Sequence, residues 1–269
     1  GDGDGGGGDG DCDGDGGGGG AAVTRTLRTS RARAVTRQIM EGVGAAEAPL
    51  AALIGANGAG KSTLLASLAG LQPLDGGRVQ LDGHDLKHYP PAELARHRAV
   101  LPQSNPLAFD YRVEALIELG LHPHPQETHT AKHRAIQALD LGRLLPRRVH
   151  TLSGGERQRA QLARVLAQLV PAPGSFLFLD EPLAALDLRY RSRLLALLEE
   201  LAGDGVGIVI SVHELDALHD LNATIHLLHA GTVLATAPTL EGLGAQALSQ
   251  AYGGAVHFQQ RQMPVIRGD

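Results

Sequence analysis

Residues 55–63 read GANGAGKST, and this stretch decides the fold of the chain. It fits the pattern G-x-x-x-x-G-K-[S/T] of a phosphate-binding loop, whose glycines let the backbone wrap around a triphosphate with its N–H groups pointing inward. The preceding segment Leu50–Ile54 has the apolar composition of a buried strand, and a helical pattern starts at Lys61. Because strand, loop and helix follow one another as this pattern requires, we predict that the chain binds a nucleotide.

The polar groups of this loop match the needs of a bound triphosphate. Lys61 can reach the β- and γ-phosphates, and the Ser62 hydroxyl can ligate Mg²⁺. The positive end of the following helix dipole attracts the same anion. The residues of the loop that we expect to bind the nucleotide are Gly55, Asn57, Gly58, Gly60, Lys61, Ser62 and Thr63.

Composition limits the class of protein. Residues 1–20 hold only Gly, six Asp and Cys12, so we expect a disordered tail followed by one domain over 21–269. Without those six Asp, the 24 basic residues face 23 acidic ones (29 − 6), and this balance argues against a nucleic-acid partner. Cys12 is the only cysteine, which excludes a disulfide framework and fits a reducing compartment. No apolar run approaches the roughly 20 residues of a membrane span, so we expect a soluble chain.

Strand-like and helical patterns alternate along the rest of the chain, and residues 24–37 can form an edge hairpin. The expected strands are 50–54, 78–81, 99–101, 176–179, 207–211, 225–228 and 233–236. The expected helices start at Lys61 and cover 91–98, 156–169, 191–201 and, with a break at 122–125, 113–145. This alternation predicts an α/β fold with a mostly parallel sheet that is covered on both faces.

Two acidic residues, Asp180 and Glu181, follow the apolar run FLFL at 176–179. Ligands of an open α/β sheet bind outside the carboxyl ends of its strands. We therefore expect Asp180 beside the phosphate loop, where it can hold Mg²⁺, and Glu181 where it can polarise the attacking water. The alternative is a strand followed by a polar turn, and the presence of Lys61 favours the functional interpretation.

Residues 152–159 read LSGGERQR and form a second candidate phosphate cradle. Ser153 and Glu156 have the spacing of a capping box, and Gly154 and Gly155 expose backbone N–H groups at the same helix start. The simpler interpretation is a well-capped helix. One nucleotide cannot easily occupy both cradles of one chain.

In the order of these motifs the chain resembles the ATP-binding-cassette (ABC) ATPases, over about 31–254. The loop at 55–63, Gln103, the signature at 152–158, the acids at 180–181, the segment 185–187 and His213 follow one another as in that family. The resemblance implies a P-loop NTPase (RecA-like) core, an antiparallel β subdomain and an inserted α-helical subdomain at about 104–158. It also implies ATP and Mg²⁺ as cofactors.

The resemblance further implies a head-to-tail dimer, in which each ATP lies between the phosphate loop of one chain and the signature of the other. Ser153 and Gly155 would contact the γ-phosphate bound by the partner chain, and Asp187 would position groups across the interface. Within one chain, Glu181 would be the general base and His213 would hold the γ-phosphate. The metal-side residues would be Ser62, Gln103 and Asp180, with Gln103 also sensing the attacking water.

Three departures from the family pattern stand out. Glu214 follows His213 where Asp is common, and residues 183–184 are Leu-Ala where Thr-Ser or similar is usual. The segment 21–49 contains no aromatic residue to stack on adenine. We therefore hypothesise that the guanidinium of Arg31 or Arg33 stacks there instead.

Two longer stretches, PAELARHRAVLPQ at 91–103 and QLARVLAQL at 161–169, resemble the ATP-binding subunits of haemin importers. These are relatives of the iron-siderophore and cobalamin importers. The resemblance implies an ATPase that powers haem uptake from the cytoplasmic face of a bacterial inner membrane, with membrane permease subunits and a periplasmic substrate-binding protein. The alternatives are a siderophore or cobalamin importer, or a soluble ABC ATPase such as an iron–sulfur assembly type.

Two further groups of residues have competing interpretations. The histidines at 122, 124, 129 and 133 fit no standard metal-site spacing, which favours a solvated loop. Phe109 and Tyr111 lie near Gln103 in sequence and either dock a permease helix or pack into the core.

Overall fold

A computed structural model describes residues 25–26, 50–74, 78–81, 84–104, 106–107, 109–124, 129–169, 174–256 and 258. The predicted tail at 1–20, the hypothesis for Arg31 and Arg33, and the 24–37 hairpin apart from Arg25–Thr26 lie outside the described residues. The division into a tail and one domain over 21–269 stays a prediction, as does the subdomain boundary at about 104–158.

The fold is built on a six-stranded sheet with the strand order β5-β6-β7-β2-β8-β9. All neighbouring strands are parallel except β8 and β9, which are antiparallel. A second, antiparallel sheet has the order β1-β3-β4. The strands are β1 (Arg25–Thr26), β2 (Leu50–Ile54), β3 (Arg78–Leu81), β4 (His84–Asp85), β5 (Arg98–Leu101), β6 (Phe176–Asp180), β7 (Gly207–Ser211), β8 (Thr224–His229) and β9 (Thr232–Ala237). The predicted mostly parallel α/β fold with an antiparallel β part is confirmed.

Seven α-helices are found in the described part of the chain. They are α1 (Lys61–Leu68), α2 (Pro91–His97), α3 (Val113–Glu118), α4 (His129–Ala138), α5 (Gly154–Gln168), α6 (Leu188–Gly203) and α7 (Ala245–Tyr252). Short 3₁₀ helices cover Leu86–His88, Leu119–Leu121, Gly142–Leu144, Val149–Thr151, Leu215–Asp220 and Glu241–Leu243. Helices α3, α4 and α5 all lie between β5 and β6 in the chain, and α3 and α4 pack on α5. Among the described residues, no helix combines the length and the apolar character of a membrane span.

The inner strands β2, β6 and β7 are buried along their whole length, which explains their continuous apolar sequences. In β6, Leu177 and Leu179 pack into one hydrophobic cluster with α5 and α6, whereas Phe176 and Phe178 pack into a second cluster with α1. The same alternation holds for β2, because successive side chains of a strand point to opposite faces. Because β6, β7 and β2 are parallel neighbours, their carboxyl ends lie side by side at one edge of the sheet.

Candidate functional site

The loop after β2 depends on glycine at the positions where its backbone is unusual. Gly55 has φ 147°, and a Cβ atom there would lie 2.3 Å from the carbonyl oxygen of Leu228 on β8. Gly58 and Gly60 have φ 78° and 100°, in the left-handed region that disfavours other residues. Gly60 is also the N-cap of α1, so the loop turns directly into a helix start.

Lys61 is the buried cation of this loop, with only 5% of its surface exposed. Its Nζ donates to the carbonyl oxygen of Gly55 at 2.8 Å and to that of Ala56 at 3.2 Å. These two bonds keep the ammonium group within the loop. A buried lysine that reaches only neutral carbonyl oxygens can exchange them for phosphate oxygens, which are stronger partners.

A tyrosine far away in sequence supports the start of the loop. The N–H of Gly55 donates to the hydroxyl of Tyr252 at 3.1 Å, at the end of α7. Burial raises the pKa of this Tyr252 hydroxyl further above neutral pH. The last helix of the described chain thus fixes the first residue of the loop.

A cavity of about 580 Å³ opens beside the loop. Its lining brings together predicted residues from four parts of the chain: Asn57, Gly58, Gly60, Lys61, Ser62 and Thr63 from the loop, and Gln103, Glu181 and His213 from the ends of β5, β6 and β7. The remaining lining residues are Leu183, Ala184, Ser211, Val212 and Glu214. Sequence-distant groups therefore meet at the predicted edge of the sheet.

The two acids after β6 differ in exposure and in partners. Asp180 is 5% exposed and does not itself line the cavity, and its Oδ1 accepts from the hydroxyl of Ser211 at 2.5 Å. The same Ser211 oxygen accepts from the N–H of Glu181 at 2.8 Å. Ser211 therefore fixes both acids relative to β7, and it is a site residue that the sequence prediction missed. The available signal was a polar residue at the carboxyl end of an apolar strand.

Glu181 is the acid that faces the cavity. Its backbone has φ 49°, which is uncommon for a residue other than glycine and directs the chain sharply away from the strand. Its Oε2 accepts from Nε2 of Gln103 at 3.2 Å. This bond connects the ends of β5 and β6, so an amide and a carboxylate share one wall of the cavity.

The predicted residues Ser153, Gly155 and Asp187 do not line this cavity. Ser153 caps α5 through a complete capping box: its Oγ accepts from the N–H of Glu156 at 3.3 Å, and Glu156 Oε2 accepts from the N–H of Ser153 at 2.8 Å. The bond from the Ser153 N–H lowers the pKa of the Glu156 carboxyl. Ser153 itself is exposed, so its helix end faces outward.

The structure explains why Gly155 is a glycine and why Asp187 is an aspartate. A Cβ atom on Gly155 would lie 2.8 Å from the carbonyl oxygen of Ala185, so the start of α5 approaches the loop after β6 closely. Asp187 is the N-cap of α6, and its Oδ1 accepts from the N–H of Tyr190 at 3.1 Å. Both residues are outside their own chain's cavity but lie on segments that border each other.

The histidine-rich segment contains no metal site among the residues that the structure describes. His129 and His133 belong to α4, whereas His124 lies within 3.2 Å of the carbonyl oxygen of Arg96 through its Nε2. The histidines are therefore divided between a helix and a connecting segment.

Sequence comparison relates the chain to transport ATPases. A family model described as ABC transporter matches residues 44–184. The Hemin import ATP-binding protein HmuV of Nocardia farcinica is 42% identical over 228 residues, which are 82% of this chain and 76% of that protein. The protein of the same name from Deinococcus radiodurans is 42% identical over 78% of this chain and 81% of that protein.

Structural comparison agrees with the sequence comparison. A solved ATP-binding subunit of an ABC transporter is similar with a TM-score of 0.62 and 27% identity, over 71% of this chain and 79% of that chain. An inward-facing ABC transporter of the metal-chelate type gives a TM-score of 0.62 and 26% identity, over 80% of this chain and 82% of that chain.

Proposed function

The chain belongs to the ABC transporter family of ATP-binding proteins, and from this premise we propose that it is the ATP-hydrolysing subunit of a bacterial haem importer. ATP-binding proteins of this family bind and hydrolyse ATP. The observation that carries the proposal is the single cavity that joins Lys61, Gln103, Glu181 and His213 at the ends of parallel strands. Phosphoryl transfer needs positioned charges more than covalent chemistry, and these residues supply them.

The predicted residues of the cavity have distinct roles in this reaction. The backbone N–H groups of the loop and Lys61 bind the phosphates, with Lys61 Nζ moving from the carbonyl oxygens of Gly55 and Ala56. Glu181 accepts a proton from the attacking water, and the amide of Gln103 keeps the Glu181 carboxylate oriented. His213, from the loop after β7, binds the terminal phosphate.

The donor set also fits Mg²⁺, which prefers oxygen ligands. Ser62, Gln103 and Asp180 would hold the ion, the Ser62 hydroxyl being at the start of α1 and the Asp180 carboxylate being oriented by Ser211. When bound, Mg²⁺ supplies compensation for the charge of the β- and γ-phosphates. Ser211 of the same chain thus orients the Asp180 carboxylate toward this role.

A second copy of the chain would complete the site. Gly154 and Gly155 present backbone N–H groups at the start of α5, next to the Ser153 cap, but Ser153 and Gly155 do not line their own chain's cavity. A capped helix start that is exposed and carries two glycines is suited to a phosphate from another chain. The head-to-tail dimer would give Ser153 and Asp187 a role in nucleotide binding besides their roles as helix caps.

Membrane permease subunits are the proposed partners at a groove of about 330 Å³ beside α5. The groove is lined by Pro106, Leu107, Phe109, Asp110, Val149, His150, Arg157 and Gln161. Phe109 is 69% exposed and stands edge-on to Tyr111 at 6.1 Å between ring centroids. Arg148 and His150 contact the Asp110 carboxylate at 2.9 and 2.8 Å. Because Asp110 directly follows Phe109, these contacts restrain the backbone that carries the exposed ring.

Haem is the proposed transported substrate because relatives at about 40% identity are named hemin import proteins. A periplasmic substrate-binding protein and a position at the cytoplasmic face of the inner membrane complete this proposal. The competing substrates are iron-siderophores and cobalamin. A soluble assembly ATPase is the alternative outside transport.

Growth and hydrolysis together test the proposal. In a bacterium that lacks its own copy, the chain should restore growth with haem as the iron source, and Lys61→Ala should not. Purified Glu181→Gln should keep ATP binding and lose about 100-fold or more in kcat, because the proton acceptor is removed. Growth with a ferric siderophore but not with haem would contradict haem as the transported substrate. Hydrolysis at the wild-type rate by Glu181→Gln would contradict Glu181 as the proton acceptor.

A further inference from the structure

Arg191, in the first turn of α6, connects two loops that border the cavity. Its Nε donates to the carbonyl oxygen of Leu186 at 3.0 Å. Its terminal nitrogens donate to both carboxylate oxygens of Glu214, Nη2 to Oε1 at 2.7 Å and Nη1 to Oε2. All three guanidinium nitrogens therefore have a partner, and the partners belong to two different loops.

The two loops form neighbouring walls of the cavity. The loop after β6 contributes Glu181, Leu183 and Ala184, and it ends at the Asp187 cap of α6. The loop after β7 contributes Val212, His213 and Glu214. Through Glu214, the guanidinium is bonded to the residue directly after His213.

The ion pair between Arg191 and Glu214 is too exposed to add much to folding stability, but its geometry can still position the two loops. The side chains of Arg191 and Glu214 are 23% and 47% exposed. Ion pairs at such positions add little to folding stability, because solvent screens them and two long side chains lose freedom. A two-pronged guanidinium–carboxylate pair nevertheless fixes direction, since both bonds lie in one plane.

We propose that Arg191 is a positioning residue for ATP hydrolysis, which holds the His213 loop at a fixed separation from the Glu181 loop. The inference rests on the proposed function, because it concerns the same cavity and the same reaction. Glu181 and His213 must reach one phosphate and its attacking water together, so the separation of their loops controls the chemical step. Nucleotide binding depends mainly on Lys61 and its loop, whereas the side-chain hydrogen bonds of Arg191 go to Leu186 and Glu214.

The chemistry of the contact requires arginine. A lysine ammonium is a point charge and cannot donate in one plane to two carboxylate oxygens and, on another side, to a carbonyl oxygen. Glu214, which stands where the family commonly has Asp, reaches Arg191 with both of its oxygens. Arg191→Lys should therefore resemble Arg191→Gln in its kinetics rather than the wild type.

Steady-state kinetics, ATP binding and melting of the full-length chain test the proposal. Arg191→Gln and Glu214→Gln should each lower kcat about tenfold, with the Kd for ATP within about twofold of wild type and Tm lowered by less than about 4 °C. The double variant should be no slower than the slower single one, because both changes break one contact. Arg193→Gln, which removes the same charge from an exposed position on α6, should keep the wild-type kcat.

Two results would overturn the positioning role. One is an unchanged kcat in both Arg191→Gln and Glu214→Gln while the wild-type chain hydrolyses ATP. The other is an additive loss of about 100-fold in the double variant, which would mean that the two residues act independently. A wild-type chain that binds ATP but never hydrolyses it would instead reject the proposed function. If Arg191→Gln does not fold, Glu214→Gln alone tests the proposal, because glutamine has nearly the same shape as glutamate.

Discussion

At the scale of single residues, the phosphate loop needs glycine for two different reasons: lack of space at Gly55 and a positive φ at Gly58. A side chain on Gly55 would collide with the Leu228 carbonyl oxygen at 2.3 Å, whereas one on Gly58 would meet nothing within 4 Å. Gly55→Ala should therefore reduce the free energy of unfolding by about 2–4 kcal/mol, and Gly58→Ala by about 1 kcal/mol from its positive φ alone. Urea denaturation measures both. Equal losses would show that the collision with β8 is relieved at little cost.

His226 is a buried base inside the sheet. It is fully buried on β8, and its Nδ1 lies 3.0 Å from Thr236 Oγ1. Its Nε2 has no hydrogen-bond partner among the described residues. Burial lowers the pKa of His226 from 6.5 to about 4, so the folded chain keeps this ring neutral.

This lowered pKa makes stability depend on pH in a defined direction. Between pH 6.5 and 4 the unfolded chain binds a proton at His226 that the folded chain does not, so stability present above pH 6.5 is lost as the pH falls. The loss should reach up to about 3 kcal/mol near pH 4. In urea melts, His226→Gln should lose stability less steeply over this range, while His229→Gln on the same strand should follow the wild type. Parallel curves for His226→Gln and wild type would contradict the assignment.

At the scale of elements, α5 and α6 are joined by a buried arginine. Arg159 on α5 is 7% exposed, its Nη1 donates to the Leu139 carbonyl oxygen at 2.9 Å, and its guanidinium lies 3.8 Å from the ring centroid of Tyr190 on α6. The Tyr190 hydroxyl donates in turn to Asp140 at 3.1 Å. The end of α4 and the start of α6 therefore meet at one guanidinium on α5.

Removing the buried Arg159 guanidinium should destabilise the chain more than removing an exposed arginine from the same helix. Arg159→Met should reduce the free energy of unfolding by about 2–3 kcal/mol, because it leaves a buried carbonyl oxygen without its donor. Arg157→Met, at an exposed position of the same helix, should change it by less than about 0.5 kcal/mol. Chemical denaturation provides the comparison. A loss in Arg159→Met no larger than that of its neighbour would mean that water replaces the guanidinium.

Most elements of the sheet were predictable because buried parallel strands are continuous apolar runs. The predicted bounds of β2, β3 and β7 are those of the structure. Helix starts were less predictable, since α6 begins at Leu188, directly after its Asp187 cap, rather than at 191, and α5 begins at Gly154 rather than 156. Helix α7 was missed because its short apolar pattern gains its stability from packing against β8 and β9.

The candidate site was predictable where a local motif carries it. The loop residues and the acids after β6 have positions that their own strands dictate. The contacts of Ser211, Tyr252 and Arg191 were not predictable, because their partners lie 31, 197 and 23 residues away in the sequence. Only Ser211 had a local signal, its place at the carboxyl end of an apolar strand. Such contacts are created by the strand order and not by any local pattern.

At the scale of the whole molecule, the central claim is that each ATP is held by two chains. Lys61 and Ser153 belong to different surfaces of one chain, since Ser153 does not line the cavity that contains Lys61. A chain with Lys61→Ala should lack a working phosphate loop and keep an intact signature. A chain with Ser153→Arg has the reverse combination. Each variant alone should therefore be inactive, for opposite reasons.

The most direct test is ATP hydrolysis by an equal mixture of these two coexpressed variants. In a head-to-tail dimer, a mixed pair contains one site with an intact loop and an intact signature, so the mixture should recover about a quarter of the wild-type rate. A control mixture of Lys61→Ala with the chain that carries both substitutions should stay inactive. If the two single variants remain inactive when mixed, although mixed dimers form, the shared site is contradicted.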